Sequence, residues 1–198
     1  MDITENGKRL VSKELKPLRV TVFGGSQPQK GESSYNEAMK LGELLGRFGC
    51  AVLTGGYIGT MEAVSHGAAI TGGHVIGVTC DEIEAWRPVQ PNSWVIEELR
   101  YPTLRERLFA LIEQCDVAFA LPGGIGTLEE IIVMWAQMQV GAIEPRPLIL
   151  IGKEWKTVID TFYSVLGKYI AGNDRQWVNS VSDIDEAIQL LLESFPTT

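Results

Sequence analysis

Three segments of the sequence combine a β-rich run, a group of glycines and the start of a helical pattern. They are VTVFGGSQ at 20–27, VLTGGYIGTMEA at 52–63 and FALPGGIGTLEE at 119–130. Glycine lets the backbone approach an anion closely, and the following helix presents free N–H groups and the positive end of its dipole. In an open α/β sheet such turns lie at the carboxyl ends of the strands, where ligands bind. The sequence therefore predicts a phosphate site of the kind that binds nucleotides.

The spacing of the glycines separates this predicted site from better known nucleotide motifs. The first turn reads FGGSQ where a dinucleotide-binding domain carries G-x-G-x-x-G, and no segment has the form G-x-x-x-x-G-K-[ST]. This disfavours a dinucleotide oxidoreductase and an ATPase. The alternative that the glycines only permit tight turns and close packing stays open. The second and third segments, however, are near copies with Thr at the helix start, which favours a phosphate site.

Two charged residues near the third glycine segment are candidates for chemistry. Glu130 is a carboxylate beside a predicted phosphate turn, where it can bind sugar hydroxyls or a water molecule, although Thr127 and Glu130 also form the Thr-x-x-Glu pattern of a capping box. Arg107 lies beside the apolar stripe of the preceding helical pattern, from which it can reach the same crevice. Arginines on helices are more often solvated, so both interpretations of each residue stay open on local sequence alone.

The composition limits the partners and the compartment. The chain has 198 residues and a formal net charge of −8, which argues against a nucleic-acid binder because such proteins neutralise phosphates with Lys and Arg. Cys50, Cys80 and Cys115 form no disulfide pattern and are expected in the core. His66 and His74 have no second ligand at metal-binding spacing, so we expect no metal. No apolar run resembles a signal peptide or approaches the ~20 residues that span a bilayer, so we expect a cytoplasmic protein without membrane contact.

The elements that must position these residues follow from an alternation of short β-rich runs and longer helical periods, which is typical of βαβ units. Strands are predicted over 19–23, 51–53, 75–78, 117–121 and 148–151. Helices are predicted around the apolar stripe of 38–48 and over 60–71, 103–114, 127–140, 155–166 and 183–192, the last capped by Ser182. The segment 81–101 is predicted to be a lid or substrate-side loop that leads into a short strand near Val95.

The fold class predicted from this alternation is α/β. We expect a Rossmann-like doubly wound parallel sheet in a single domain over residues 18–198. The preceding residues 1–17 are polar and end at a proline, so they are expected to form a mobile N-terminal arm.

The third glycine segment also carries a family signature. Its residues 122–130, PGGIGTLEE, resemble the PGGxGTxxE signature of the family historically described as possible lysine decarboxylase and typified by the LOG proteins. These are cytokinin riboside 5'-monophosphate phosphoribohydrolases. The resemblance extends over about residues 18–195, and it includes the Gly-Ser after the first strand and the GGYIGTM turn at 55–61.

The resemblance implies an activity and roles for individual residues. It implies hydrolysis of the N-glycosidic bond of a nucleoside 5'-monophosphate to a free base and ribose 5-phosphate, with Arg107 and Glu130 as the catalytic residues. It also implies a homodimer and no cofactor. The residues that it assigns to the substrate and its phosphate are Gly25, Ser26, Gly56, Gly59, Thr60, Gly123, Gly124, Gly126, Thr127 and Glu129.

One stretch departs from the family pattern. Where the family has Met-His-x-Arg-Lys, this chain has LRERL at 104–108, with Leu108 in the place of lysine. The chain therefore resembles a divergent branch. A related branch carries the molybdenum cofactor, which makes a binding-only role the alternative. A Rossmann-type DNA-processing scaffold is a third class, which the acidic charge disfavours, and decarboxylation is disfavoured because the internal lysines lie outside the glycine turns.

Overall fold

A computed structural model describes residues 16–195, in which short strands alternate with helices. The strands are β1 (Arg19–Phe23), β2 (Ala51–Thr54), β3 (His74–Cys80), β4 (Glu97–Tyr101), β5 (Val117–Ala120), β6 (Leu148–Ile151) and β7 (Val178–Val181). The helices are α1 (Ser33–Arg47), α2 (Thr60–Ile70), α3 (Asp81–Trp86), α4 (Leu104–Glu113), α5 (Ile125–Gln139), α6 (Lys153–Leu166) and α7 (Ile184–Ser194), with 3₁₀ turns at Gly167–Tyr169 and Gly172–Trp177. Residues 1–15 of the predicted arm, and 196–198, lie outside the described residues. No helix of the described part is long and apolar enough to cross a membrane.

The strands form one sheet in the order β4-β3-β2-β1-β5-β6-β7, and every neighbouring pair is parallel. The strand order reverses between β1 and β5. In such sheets ligands bind in the crevice outside the carboxyl ends of the strands at this reversal. Phe23 pairs with Ala120, so the first and third glycine turns leave the sheet side by side. The predicted Rossmann-like, doubly wound α/β fold in a single domain is confirmed.

The central strands are buried on both faces, which explains their continuous apolar sequences. Every residue of β5, VAFA, and of β6, LILI, is buried. One face of the sheet packs on α1, α2 and α7 through residues such as Leu41 and Ile188, and the other packs on α4, α5 and α6 through residues such as Leu111 and Ile131. The three cysteines are buried free thiols, and burial raises the pKa of Cys50 to about 11.

Three features of the structure differ from the prediction. The segment 81–101 begins with a helix, α3, that the prediction lacks, and the short strand that it ends in is β4, which starts two residues after Val95. Three acidic residues in the first turn of α3 suit the positive end of a helix, whereas β4 is an edge strand without the apolar pattern of a buried strand. The cap of α7 is Asp183, not Ser182, because the Asp183 carboxylate accepts a hydrogen bond of 3.0 Å from the N–H of Glu186. The short strand β7, VNSV, is absent from the prediction because its middle is polar.

Candidate active site

A cavity of about 530 Å³ opens at the carboxyl ends of β1 and β5, where the strand order reverses. Its walls come from the first and third glycine turns, the start of α5, and parts of α3 and α4. The lining residues are 24–28, 122–127, Tyr57, Met61, Ile83, Trp86, Arg87, Leu104, Arg107, Leu108, Glu129 and Glu130. Both residues that the resemblance assigns to catalysis therefore lie at the same cavity.

The first and third glycine turns meet through their backbones. A Cβ atom on Gly25 would lie 3.3 Å from the Cα of Gly123, and a Cβ atom on Gly123 would lie 3.1 Å from the backbone nitrogen of Gly25. Side chains at these positions would push the turns apart. Glycine at both positions therefore allows the β1 and β5 turns to share one cavity.

The N-terminus of α5 opens into this cavity without a side-chain cap. The helix begins at Ile125 with Gly124 as its N-cap. The capping box predicted for Thr127 and Glu130 is therefore wrong, because both residues lie inside the helix. A Cβ atom on Gly124 or Gly126 would meet nothing within 4 Å, so there is free space beside these backbone amides. The first N–H groups of α5, which have no intrahelical partner, are thus available to an anion.

The glycines of the second turn hold the first turn in place and do not themselves line the cavity. The N–H and the Oγ1 of Thr60 both donate to the carbonyl of Gly25, at 2.9 and 3.0 Å. A backbone carbonyl therefore occupies the N-terminus of α2. Gly59 has a φ of 76°, and a Cβ atom there would lie 2.6 Å from the Cα of Ser26. Gly56, Gly59 and Thr60 are not among the residues that line the cavity.

Arg107 is buried, and main-chain carbonyls hold its guanidinium. The side chain comes from α4, whose N-terminus is capped by reciprocal hydrogen bonds between Thr103 and Glu106. Its Nε donates to the carbonyl of Val78 at 2.7 Å, and its Nη2 donates to the carbonyl of Gly55 at 3.3 Å. These bonds fix the guanidinium and leave Nη1 for other partners.

Glu130 is buried on α5 and faces Arg107. Its Oε1 lies 3.9 Å from Nη1 of Arg107, which is longer than a hydrogen bond. Burial raises the pKa of Glu130 to about 7, while the charge of Arg107 opposes the rise and that of Glu129 adds to it. A carboxyl group with this pKa exchanges protons near neutral pH, which is a property of catalytic acids and bases.

Tyr57 and Arg87 line the cavity although no motif predicts them. The hydroxyl of Tyr57 accepts a hydrogen bond of 2.9 Å from the N–H of Cys80 and connects the second glycine turn to β3. Arg87 follows α3, and its Nη1 lies 3.4 Å from Oγ of Ser26. Both residues stand in segments that the sequence singles out, but periodicity does not show how the segment 81–101 folds back over the crevice.

Comparison with known proteins agrees with the signature at 122–130. The family described as possible lysine decarboxylase matches residues 61–191. A cytokinin riboside 5'-monophosphate phosphoribohydrolase of Arabidopsis thaliana is 31% identical over 191 residues, which cover 90% of this chain and 83% of that protein. A probable enzyme of the same name from Oryza sativa subsp. japonica is 33% identical over 156 residues, and the match covers 77% of this chain and 58% of the rice protein. The chain thus spans less than two thirds of the rice relative.

The fold has also been seen in solved structures. The molybdenum cofactor binding protein from the phototrophic bacterium Rippkaea orientalis matches with a TM-score of 0.69 at 22% identity, over 91% of this chain and 98% of that one. The sheet and the cavity define the class, a Rossmann-like α/β protein with a glycine-lined crevice where the strand order reverses. Within that class the chain belongs to the LOG family, the family described as possible lysine decarboxylase.

Proposed function

We propose that the protein hydrolyses the N-glycosidic bond of a nucleoside 5'-monophosphate and releases a free base and ribose 5-phosphate. The observation that carries the proposal is the placement of Arg107, Glu130 and the uncapped N-terminus of α5 around one cavity. A helix N-terminus suits a phosphate dianion. A carboxylate opposite a guanidinium suits a reaction in which positive charge develops on the sugar and negative charge develops on the leaving base.

Glu130 acts on the ribose in this proposal. A water oxygen forms a bond to C1' while the bond from C1' to the base nitrogen breaks, so the water loses one proton and the base gains one. The transition state carries positive, oxocarbenium-like charge on the sugar, which a carboxylate stabilises. Glu130 has a pKa of about 7, so a large fraction of the protein holds it as a carboxylate at neutral pH. The same group orients the attacking water.

Arg107 acts at the leaving base. Its Nε and Nη2 donate hydrogen bonds to main-chain carbonyls, and its Nη1 faces Glu130. A cation that is already fixed needs little reorganisation when negative charge develops on the departing base. The amides of 124–127 then bind the 5'-phosphate at the other end of the ribose.

The substrate is a nucleoside 5'-monophosphate, and the contacts of the cavity select no particular base. The relatives are named for cytokinin riboside 5'-monophosphates, whereas Leu108 lines this cavity at the position of the lysine in the family's Met-His-x-Arg-Lys stretch. Decarboxylation of lysine, which the family description suggests, has no support in the cavity. None of the residues that line it in the described part of the chain is a lysine, and a pyridoxal-dependent decarboxylase needs one for its Schiff base.

A second candidate function is the binding of a nucleotide-like cofactor, such as the molybdenum cofactor, without turnover. The replacement of lysine by Leu108 favours it, because the site then has one cation fewer beside Arg107. A molybdenum cofactor binding protein shares the fold, and a phosphate at α5 serves binding as well as hydrolysis.

The test is the release of free base from a panel of purine and pyrimidine nucleoside 5'-monophosphates, with AMP as the first substrate. Adenosine is the control without phosphate, and lysine is the control for decarboxylation. Tight binding of a nucleotide with no base released from any member of the panel would favour the carrier. Equal kcat/KM for adenosine and AMP would show that the phosphate site is wrongly assigned, because its contribution to binding the transition state would be missing.

We also propose a homodimer. Three apolar residues of α5, Ile125, Leu128 and Ile132, are exposed, and exposed apolar patches of this kind suit a subunit interface. Light scattering after size-exclusion chromatography measures the mass directly. A monomer at micromolar concentration would contradict this proposal.

A further inference from the structure

Two basic and two acidic residues line the cavity of the candidate active site, so a phosphate dianion that enters it meets no excess of positive charge. In the described part of the chain its charged lining residues are Arg87, Arg107, Glu129 and Glu130. Arg107 is already bonded to two main-chain carbonyls and faces Glu130. A dianion that enters beside two carboxyl groups needs a cation that is not already neutralised. Arg87 is the remaining basic residue of this lining.

Arg87 has hydrogen-bond donors that no residue of the described part of the chain uses fully. Its Nη1 makes one long contact of 3.4 Å with Oγ of Ser26. Its Nε is buried and has no hydrogen-bond partner among residues 16–195. Its guanidinium takes part in none of the ion pairs of the described residues. A buried donor without a partner costs free energy, which a bound anion recovers.

A neighbouring cavity of about 520 Å³ leads to the same residue. It shares Ser26 and Arg87 with the first cavity and is also lined by Lys30. Lys30, however, pairs with Glu62 at 2.8 Å. In both cavities, then, Arg87 is the basic lining residue that no described carboxylate neutralises.

Hydrogen bonds to the second glycine turn hold the segment that follows Arg87 in place. Asn92 donates from its backbone N–H to the carbonyl of Gly56 at 2.8 Å, and from Nδ2 to the carbonyls of Gly56 and Tyr57 at 3.0 Å each. Pro88 disfavours the helical conformation for the residue before it, and Arg87 accordingly has φ −136° and ψ 110°. These constraints hold the start of the Arg87 side chain over the crevice.

From these contacts we infer that Arg87 is the phosphate-binding cation of the site, and that it binds the 5'-phosphate together with the Ser26 hydroxyl and the first amides of α5. A guanidinium donates two parallel hydrogen bonds to a phosphate, which an ammonium cannot do. The inference rests on the proposed function, since it takes a phosphorylated ribose as the ligand of this cavity. It also supplies a second cation to a site in which Leu108 replaces the lysine of the family's Met-His-x-Arg-Lys stretch.

Binding of ribose 5-phosphate, measured by isothermal titration calorimetry on the full chain, tests Arg87 independently of the base. Arg87→Ala is expected to weaken binding by roughly 10- to 100-fold, the scale of hydrogen bonds to a charged group. Arg87→Lys keeps the charge and should recover part of the loss. Ribose without phosphate is expected to bind equally weakly to all variants. The melting temperature reports whether each variant is folded, and Arg87→Met, which keeps the length of the stem, replaces the alanine variant if that one unfolds.

Arg105→Ala is the matched control. Arg105 is an exposed arginine of α4 that contacts the ring of Phe109, with 5.8 Å between its Cζ and the ring centroid, and it does not line the main cavity. This variant should bind ribose 5-phosphate as the wild type does.

The outcomes separate this inference from the proposed function. Unchanged affinity in Arg87→Ala, or no binding of ribose 5-phosphate to the wild type, overturns the inference whatever the enzyme hydrolyses. Binding that depends on Arg87 in a protein that releases no base supports the inference and contradicts the hydrolase. A KM for AMP that rises in Arg87→Ala, while cleavage of adenosine stays the same, supports both.

Discussion

Nη1 of Arg107 lies 3.9 Å from Oε1 of Glu130, and both side chains are buried at one cavity without a direct hydrogen bond between these atoms. The charge of Arg107 lowers the pKa of Glu130, but burial outweighs it and holds the pKa at about 7. A tight bidentate pair would occupy the lone pairs of the carboxylate. At 3.9 Å they remain free for a sugar hydroxyl or a water molecule.

Replacing Glu130 by Gln separates charge from shape. The amide keeps the volume of the side chain but cannot stabilise positive charge on the ribose, so we expect turnover of AMP to fall by about 100-fold or more while nucleotide affinity changes little. Release of adenine measures turnover, and calorimetry measures binding. Glu113→Gln, at the exposed end of α4, is the control and should behave as the wild type. A loss of affinity with kcat unchanged would instead mean that Glu130 binds the ground state and the transition state equally.

The raised pKa of Glu130 also predicts a pH-dependent stability. The group ionises near its ordinary value of 4.5 in the unfolded chain and near 7 in the folded protein. Within this window the folded state binds more protons, so the contribution of Glu130 to the free energy of unfolding is complete below about pH 4.5 and is lost as the pH rises through 7. Relative to Glu130→Gln, the wild type should lose on the order of 3 kcal/mol across the window. Urea denaturation at several pH values measures this difference, and parallel profiles of the two proteins would contradict it.

The glycine turns of the site could be predicted from the sequence because their signal is local. A β-rich run followed by glycines marks the end of a parallel strand, and strand ends meet at one edge of a sheet. Gly25 and Gly123 accordingly lie in contact. The start of α5 was harder to predict, because Thr127 and Glu130 have the pattern of a capping box but Gly124 begins the helix earlier.

The position of the segment 81–101 over the cavity could not be predicted, because contacts with residues far away in the sequence determine it. Asn92 bonds to the carbonyls of Gly56 and Tyr57, more than thirty positions earlier in the chain, and these bonds place Arg87 near Ser26. Periodicity carries no information about such bonds. The family resemblance likewise assigned Gly59 and Thr60 to the phosphate, whereas their hydrogen bonds and contacts go to the first glycine turn.

Gly59→Ala should damage the site although Gly59 itself does not line the cavity. Gly59 has φ 76° and ψ −138°, a conformation that is essentially restricted to glycine, and a Cβ atom would lie 2.6 Å from the Cα of Ser26. We expect a loss of about 2–4 kcal/mol in the free energy of unfolding and weaker binding of ribose 5-phosphate, because the first turn must move. Gly72→Ala is the control: Gly72 has φ 84°, but a Cβ atom there meets nothing within 4 Å. It should cost only about 1 kcal/mol and leave binding intact. Equal effects of the two substitutions would show that the contact with Ser26 is unimportant.

Arg107→Met keeps the apolar stem of Arg107 and removes its charge and donors. The carbonyls of Val78 and Gly55 then lose the donors that they have at 2.7 and 3.3 Å, so we expect a loss of about 2–4 kcal/mol in the free energy of unfolding, measured in urea. The pKa of Glu130 should rise further, because the charge that opposes its rise is gone. At neutral pH less of Glu130 is then ionised, so kcat should fall and the pH profile of the residual activity should move to higher pH.

Arg105→Met is the control for loss of an arginine on the same helix. If Arg107 acts at the base, as proposed, affinity for ribose 5-phosphate should fall far less than in Arg87→Ala, whereas an equal fall would place Arg107 on the phosphate instead.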